Sequence, residues 1–161
     1  MMSYYKYSEI YLAKFEIAFY ELDIDMICIR AVYILDNEIF NTSLHVDKPN
    51  FTLPEGRFEH IDALVQIDEV EFQEIWKEST LPYAPDWSLL KTNLKEGGTV
   101  EGSIVCFYPQ GVILTSGLRF FCIADYDLCK NRLGEDKMYP GNKLSLIVQG
   151  FDDVNMWIKV E

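Results

Sequence analysis

From residue 94 onward, apolar side chains recur at every second position between closely spaced turn residues. Val100, Gly102 and Ile104 share one parity, and so do Leu144, Leu146 and Val148. A period of two sends successive side chains to opposite faces of an extended strand, whereas a helix needs recurrence at three to four. Gly97-Gly98, Pro109-Gln110-Gly111 and Asp152-Asp153-Val154-Asn155 separate these runs and supply turns. The spacing predicts five short strands. Closing them into a small barrel removes the unpaired edges that an open sheet leaves exposed.

The first half reads less regularly. Phe15, Ile17 and Phe19 alternate within residues 14–22 as in a half-buried strand, with a helix over residues 9–21 as the rival. Residues 26–35 are rich in Ile, Val and Tyr, and residues 38–46 follow Asp36-Asn37, which predicts a hairpin closed by a short polar turn. Pro49, Pro54 and Gly56 then interrupt the chain. Residues 58–67 read as a further strand, and residues 68–79 as a helix with Val70, Phe72, Ile75 and Trp76 on one stripe. Asp68, Glu69 and Glu71 stand near the positive end of that helix.

Between the halves, Pro82 and Pro85 lack a backbone donor and disfavour helical geometry in the residue before them. The organisation expected is an acidic α+β domain over residues 1–80, a Pro/aromatic connector over 81–93 and a β-barrel domain over 94–161. The fold class is mainly β with minor α.

Charge follows the same division. Of 14 Lys+Arg and 26 Asp+Glu, residues 1–93 carry a net −10 and residues 94–161 a net −2. Such a chain does not adhere passively to phosphate backbones or anionic lipid, which are held by Lys and Arg. The N-terminal stretch has no uninterrupted apolar run, so no export signal is read, and no run reaches the roughly 20 residues that span a bilayer. No membrane partner and a cytoplasmic location are expected. Cys28, Cys106, Cys122 and Cys129 form no CxxC, and His45 and His60 lie far from them, so no metal ligand set is read. No cofactor is expected either.

Three landmarks of the second half occur in order: Val100-Glu101-Gly102, Pro109-Gln110-Gly111, and Tyr139-Pro140-Gly141 followed by Leu144-Ser145-Leu146-Ile147-Val148. Over about residues 94–161 the chain resembles the S1 family of OB-fold domains. That resemblance implies a five-stranded barrel that binds single-stranded RNA by stacking bases on aromatic rings and attracting the backbone to basic side chains. The places where the family carries two aromatics and a His fall at Gln110, Ile113 and Cys122. Phe107 and Trp157 are the rings that remain, with Arg119, Lys143 and Lys159 as candidate backbone contacts. Lys130, Arg132 and Lys137 are interleaved with Asp125, Asp127, Glu135 and Asp136.

Local signatures for nucleophile activation, phosphate cradling or metal hydrolysis do not occur, so no enzymatic activity is expected. Cys106 has the apolar parity of its strand and no adjacent base. His45 beside Asp47, and His60 beside Glu59 and Asp62, read as surface residues. Asp23 and Asp25 read as solvated carboxylates. The leading expectation is a noncatalytic protein-binding module, in the manner of an inhibitor or immunity-type protein, whose acidic half meets a basic protein partner. Asp68, Glu69, Glu71 and Glu74 would supply the charge, with Trp76, Tyr83 and Trp87 as aromatic anchors. The alternative is an RNA-binding or transcription/translation accessory protein that works through the barrel.

Overall fold

In a computed structural model describing residues 1–11 and 14–161, the first unit, Met1–Pro82, is built on a five-stranded antiparallel sheet. Its strands are β1 (Ser3–Tyr11), β2 (Lys14–Leu22), β3 (Cys28–Leu35), β4 (Glu38–Asn41) and β5 (Val65–Ile67). They lie in the order β4-β3-β2-β1-β5. Asp36 and Asn37 both take left-handed backbone, with φ of 50° and 66°. Two successive positive φ values match the right-handed twist of the flanking strands, and so this pair closes the β3–β4 hairpin. The register runs from Leu35↔Glu38 to Val32↔Asn41.

Helix α1 (Glu69–Thr80) begins where the Asp68 carboxylate accepts the Glu71 backbone N–H at 2.8 Å. Its inner face buries Phe72 and Trp76 against Tyr4, Phe19 and Val32 of the sheet. Val70, expected on that stripe, points to solvent and is 65% exposed. Between helix and sheet lies a buried charge pair: Arg30 Nε donates to the Glu21 carboxylate across the β2–β3 register. The Arg30 guanidinium also sits 4.8 Å from the Trp76 ring centre and 5.2 Å from that of Phe72. The opposite sheet face carries Tyr20, Tyr33 and Phe40. The segment after β4 covers it, with Phe51 stacked on Phe40 at 3.9 Å and Phe58 against Tyr20 at 5.1 Å.

The second unit, Tyr83–Glu161, is a closed five-stranded barrel with two helices. After α2 (Ala84–Asn93) come β6 (Thr99–Tyr108), β7 (Gly111–Thr115), β8 (Cys122–Ala124), α3 (Tyr126–Leu133), β9 (Lys143–Asp152) and β10 (Trp157–Val160). The ring order is β10-β8-β7-β6-β9, closed by β9 pairing with β10. Strands β8 and β10 run parallel, with Ile158 opposite Cys122. Burial in β9 alternates strictly from Lys143 to Gly150, as the period-two pattern requires. Gly102 is interior. A Cβ there would stand 3.1 Å from Leu114 Cδ2 and 3.4 Å from Leu146 Cδ1, so this glycine leaves room for the side chains filling the barrel.

Three local expectations change. The stretch 81–93, read as a proline-broken connector, is helical: a 3-10 turn over Leu81–Tyr83 leads into α2. Pro85 occupies the first turn of α2, where a missing N–H leaves no hydrogen bond unmade. Residues 58–67 yield only the three-residue β5. Neither β1 nor α3 was read from the sequence. The Asp125 carboxylate, accepting the Leu128 N–H at 2.9 Å, is the capping signal that marks α3.

Candidate functional site

Asp68, Glu69, Glu71 and Glu74 are all exposed; Glu69, three and seven residues before Phe72 and Trp76, shares their stripe in the first turn, whereas Glu71 and Glu74 lie on the solvent side of α1. Their orientation follows from the opposite face, where Phe72, Trp76 and Arg30 fix the rotation of the helix against the sheet. Glu78, one turn beyond Glu74, extends the acidic face and was missed. Its spacing of four from Glu74 was the available signal. Lys6 Nζ stands 3.8 Å from Glu71 Oε1 and is the one cation that an ion pair joins to this row among the described residues.

The expected aromatic anchors are placed differently. Trp76 is 4% exposed, packed on Phe72 and Arg30. Trp87 is 3% exposed, and its indole Nε1 donates to Asp153 Oδ1 at 2.7 Å. Both rings are core groups of their own units, because an indole with its faces buried presents nothing to a partner. Tyr83 is half-buried beneath the Arg119 guanidinium, 5.7 Å from its ring centre.

The barrel candidates scatter. Trp157 is 1% exposed, tilted against Tyr108 at 6.1 Å, and offers no face to a nucleobase. Ile113 and Cys122 are wholly buried. Phe107 is 40% exposed and meets Tyr126 edge to face at 6.0 Å. Tyr126, the second ring of this open pair, was not read as a candidate, since 19 residues separate it from Phe107 and only the fold joins them. Lys159 pairs with Gly150 on β9 and Lys143 lies at the start of that strand, roughly 23 Å of extended chain away. Arg119 is ion-paired with Asp86. No single basic face collects these three cations.

Burial favours the neutral forms of the four thiols and of His45. Burial pushes the Cys106 thiol up to about 11, and does the same at Cys122, where a contact with Ser116 only partly opposes it. A thiol so raised carries almost no thiolate at neutral pH. Cys28 and Cys129 are buried and shifted the same way, and all four thiols are free. His45, expected at the surface, is buried, and its Nδ1 lies 3.1 Å from both the backbone nitrogen and the carbonyl oxygen of Asn41. Burial lowers its pKa, so the ring is neutral. Asp23 Oδ1 accepts the N–H groups of Asp25 and Ile27, each at 2.9 Å, in a turn. Among the described residues no group of three or more His, Cys, Asp or Glu has the geometry to hold a metal ion. None of the described helices is long and apolar enough to cross a membrane.

No protein-family model matches this chain, and no curated protein matches it.

Proposed function

We propose that this protein is a noncatalytic protein-binding module whose first unit engages a basic partner through the outward face of α1. The observation that carries this reading is the exposure of Asp68, Glu69, Glu71 and Glu74 together, with Glu71 and Glu74 on the outward face of a helix locked onto the sheet. A cluster of carboxylates raises the encounter rate with a positive surface, and its effect weakens as salt screens it. With Trp76 and Trp87 buried, binding is dominated by charge, and Val70 is the apolar group within the acidic row. An inhibitor of a basic enzyme fits this description.

The test is cross-linking and mass spectrometry in native lysate, comparing the chain with its Glu69→Lys/Glu71→Lys/Glu74→Lys variant. Strongly basic partners are expected with the native chain, declining with added salt and lost in the variant. An unchanged partner set in the variant ends this reading.

A second reading rests on the barrel, which we propose to be S1-like. In barrel numbering its strand order is 1-2-3-5-4, closing on strand 1, and α3 lies between the third and fourth strands, which supports an OB arrangement. Single-stranded RNA would then stack on Phe107 and Tyr126, replacing the platform lost at Gln110 and Ile113. Fluorescence anisotropy with mixed-sequence RNA at low and physiological salt tests it, with Phe107→Ala as the paired variant. Binding that is absent, or indifferent to salt and to Phe107, rejects it.

A further inference from the structure

A groove of about 410 Å³ opens on the second unit between α2 and the segment joining β7 to β8. Helix α2 divides its side chains between two tasks. Trp87 and Lys91 turn to Asp153, while Asp86, Leu89, Leu90 and Asn93, spaced at three and four, line the groove. Leu118 and Phe120 form part of the facing wall. Leu89 is 61% and Leu118 39% exposed, so apolar surface is left in water on both sides.

Among the described residues, Arg119 is the only cationic side chain lining this groove. Its guanidinium is oriented by the Tyr83 ring and by an ion pair from Nη1 to Asp86 Oδ2, and the side chain remains more than half exposed. A guanidinium has five N–H donors, and this contact with Asp86 uses one end of the fork. The volume lies at the lower end of the roughly 300–1,000 Å³ typical of small-molecule sites, which combine apolar walls with a few placed polar groups.

We propose that this groove binds a small monocarboxylate with an apolar tail. The tail displaces water from Leu89, Leu90 and Leu118, and the carboxylate takes the Arg119 donors that Asp86 leaves open. Arg119 selects for a carboxylate over a neutral head, which would leave the open donors to water. Asp86 is then an internal competitor for the same guanidinium. The site is independent of the acidic face of α1 and stands or falls separately from it.

The experiment is an amide chemical-shift titration of the full chain with octanoate and, in parallel, octanamide. Octanoate is expected to perturb residues of α2 and 117–120 and to bind several-fold more tightly than octanamide. Arg119→Gln is expected to weaken octanoate about threefold to tenfold, allowing for the exposure of the pair, and to leave octanamide unchanged. Asp86→Asn, which frees the guanidinium, is expected to tighten octanoate. Leu89→Asp abolishes both, with far-UV circular dichroism showing that the variant is folded. Equal affinity for the two probes, loss of octanoate binding in Asp86→Asn, perturbations located elsewhere, or no binding of octanoate below its micelle limit would each overturn the proposal.

Discussion

The indole Nε1 of Trp87 donates a 2.7 Å hydrogen bond to Asp153 Oδ1, tying a helix to a turn 66 residues further along the chain. Lys91 Nζ reaches the same oxygen at 2.6 Å. The Trp87 ring also packs edge to face on Phe120 and Phe151, at 5.0 and 5.7 Å. This makes α2 a structural part of the barrel unit. Trp87→Ala is therefore expected to destabilise that unit by about 3–5 kcal/mol, and Trp87→Phe, which keeps a ring but loses the donor, by about 1–2 kcal/mol. Urea unfolding followed by far-UV circular dichroism measures both. An unaltered midpoint for Trp87→Ala would show that α2 is dispensable to the barrel.

Asp153 adds an acid limb to the same contact. The Lys91 ammonium, and after it the Trp87 donor, holds its carboxyl below the ordinary carboxylate value of 3.8. A carboxyl depressed in the folded state contributes stability that is fully present above its unfolded pKa and is lost as pH falls through the depressed value. Replacing Asp153 with Asn should flatten the fall in unfolding midpoint below about pH 4 relative to the native chain. A native and a variant curve of the same slope would assign the acid transition to other carboxylates.

Glu21 and Arg30 are 4% and 8% exposed, so each is the principal charge compensation of the other. Removing one partner leaves a buried charge unpaired, and Glu21→Gln or Arg30→Met alone is expected to cost about 3–5 kcal/mol. The double variant should cost clearly less than the two losses added together, because neither charge is then stranded. Strict additivity in the double-mutant cycle would mean that the pair carries no coupling.

His45 makes the stability of the first unit depend on mild acid. Burial is the largest influence on the ring and lowers its pKa from 6.5. The Asn41 backbone contact and Asp47 oppose that shift, and Lys48 reinforces it. As pH falls through 6.5 the unfolded chain takes up a proton that the folded chain resists, so stability declines from pH 7.5 to pH 5.5. His45→Gln should be nearly flat across this window, where carboxylates stay ionised. Urea midpoints at the two pH values decide it, and an equal slope in the variant would remove His45 as the cause.

Gly111 has φ of 150°, and a Cβ there would lie 2.4 Å from the Ala124 carbonyl oxygen. Gly117 has φ of 75° but open space around it. Gly111→Ala is accordingly expected to cost about 3 kcal/mol or more, since strain and a backbone clash combine, whereas Gly117→Ala should cost about 1–2 kcal/mol from strain alone. Thermal unfolding of the two variants side by side tests the ordering. Equal losses would mean that the β7–β8 pairing yields without cost.

The sequence alone determined the elements whose instructions are local. Alternation in residues 100–104 and 144–148 specifies strands because the side-chain period of an extended chain is two, and Asp36-Asn37 specifies a tight hairpin because both residues tolerate left-handed backbone. Asp68 marks a helix start for an equally local reason, a carboxylate three residues from the N–H that it caps. The acidic row on α1 was legible for the same reason, since helical spacing put Glu71 and Glu74 on one side. Tertiary structure decided which apolar and aromatic groups became core. Trp76, Trp87 and Trp157 look alike in a sequence as rings available to a partner, and each is buried because a strand, turn or helix distant in the chain closes over it. It also decided that Pro85 opens a helix instead of ending one, that Arg30 finds Glu21 across a register, and that Phe107 meets Tyr126. Such pairings depend on loop closure and strand register, which no local pattern of residues encodes.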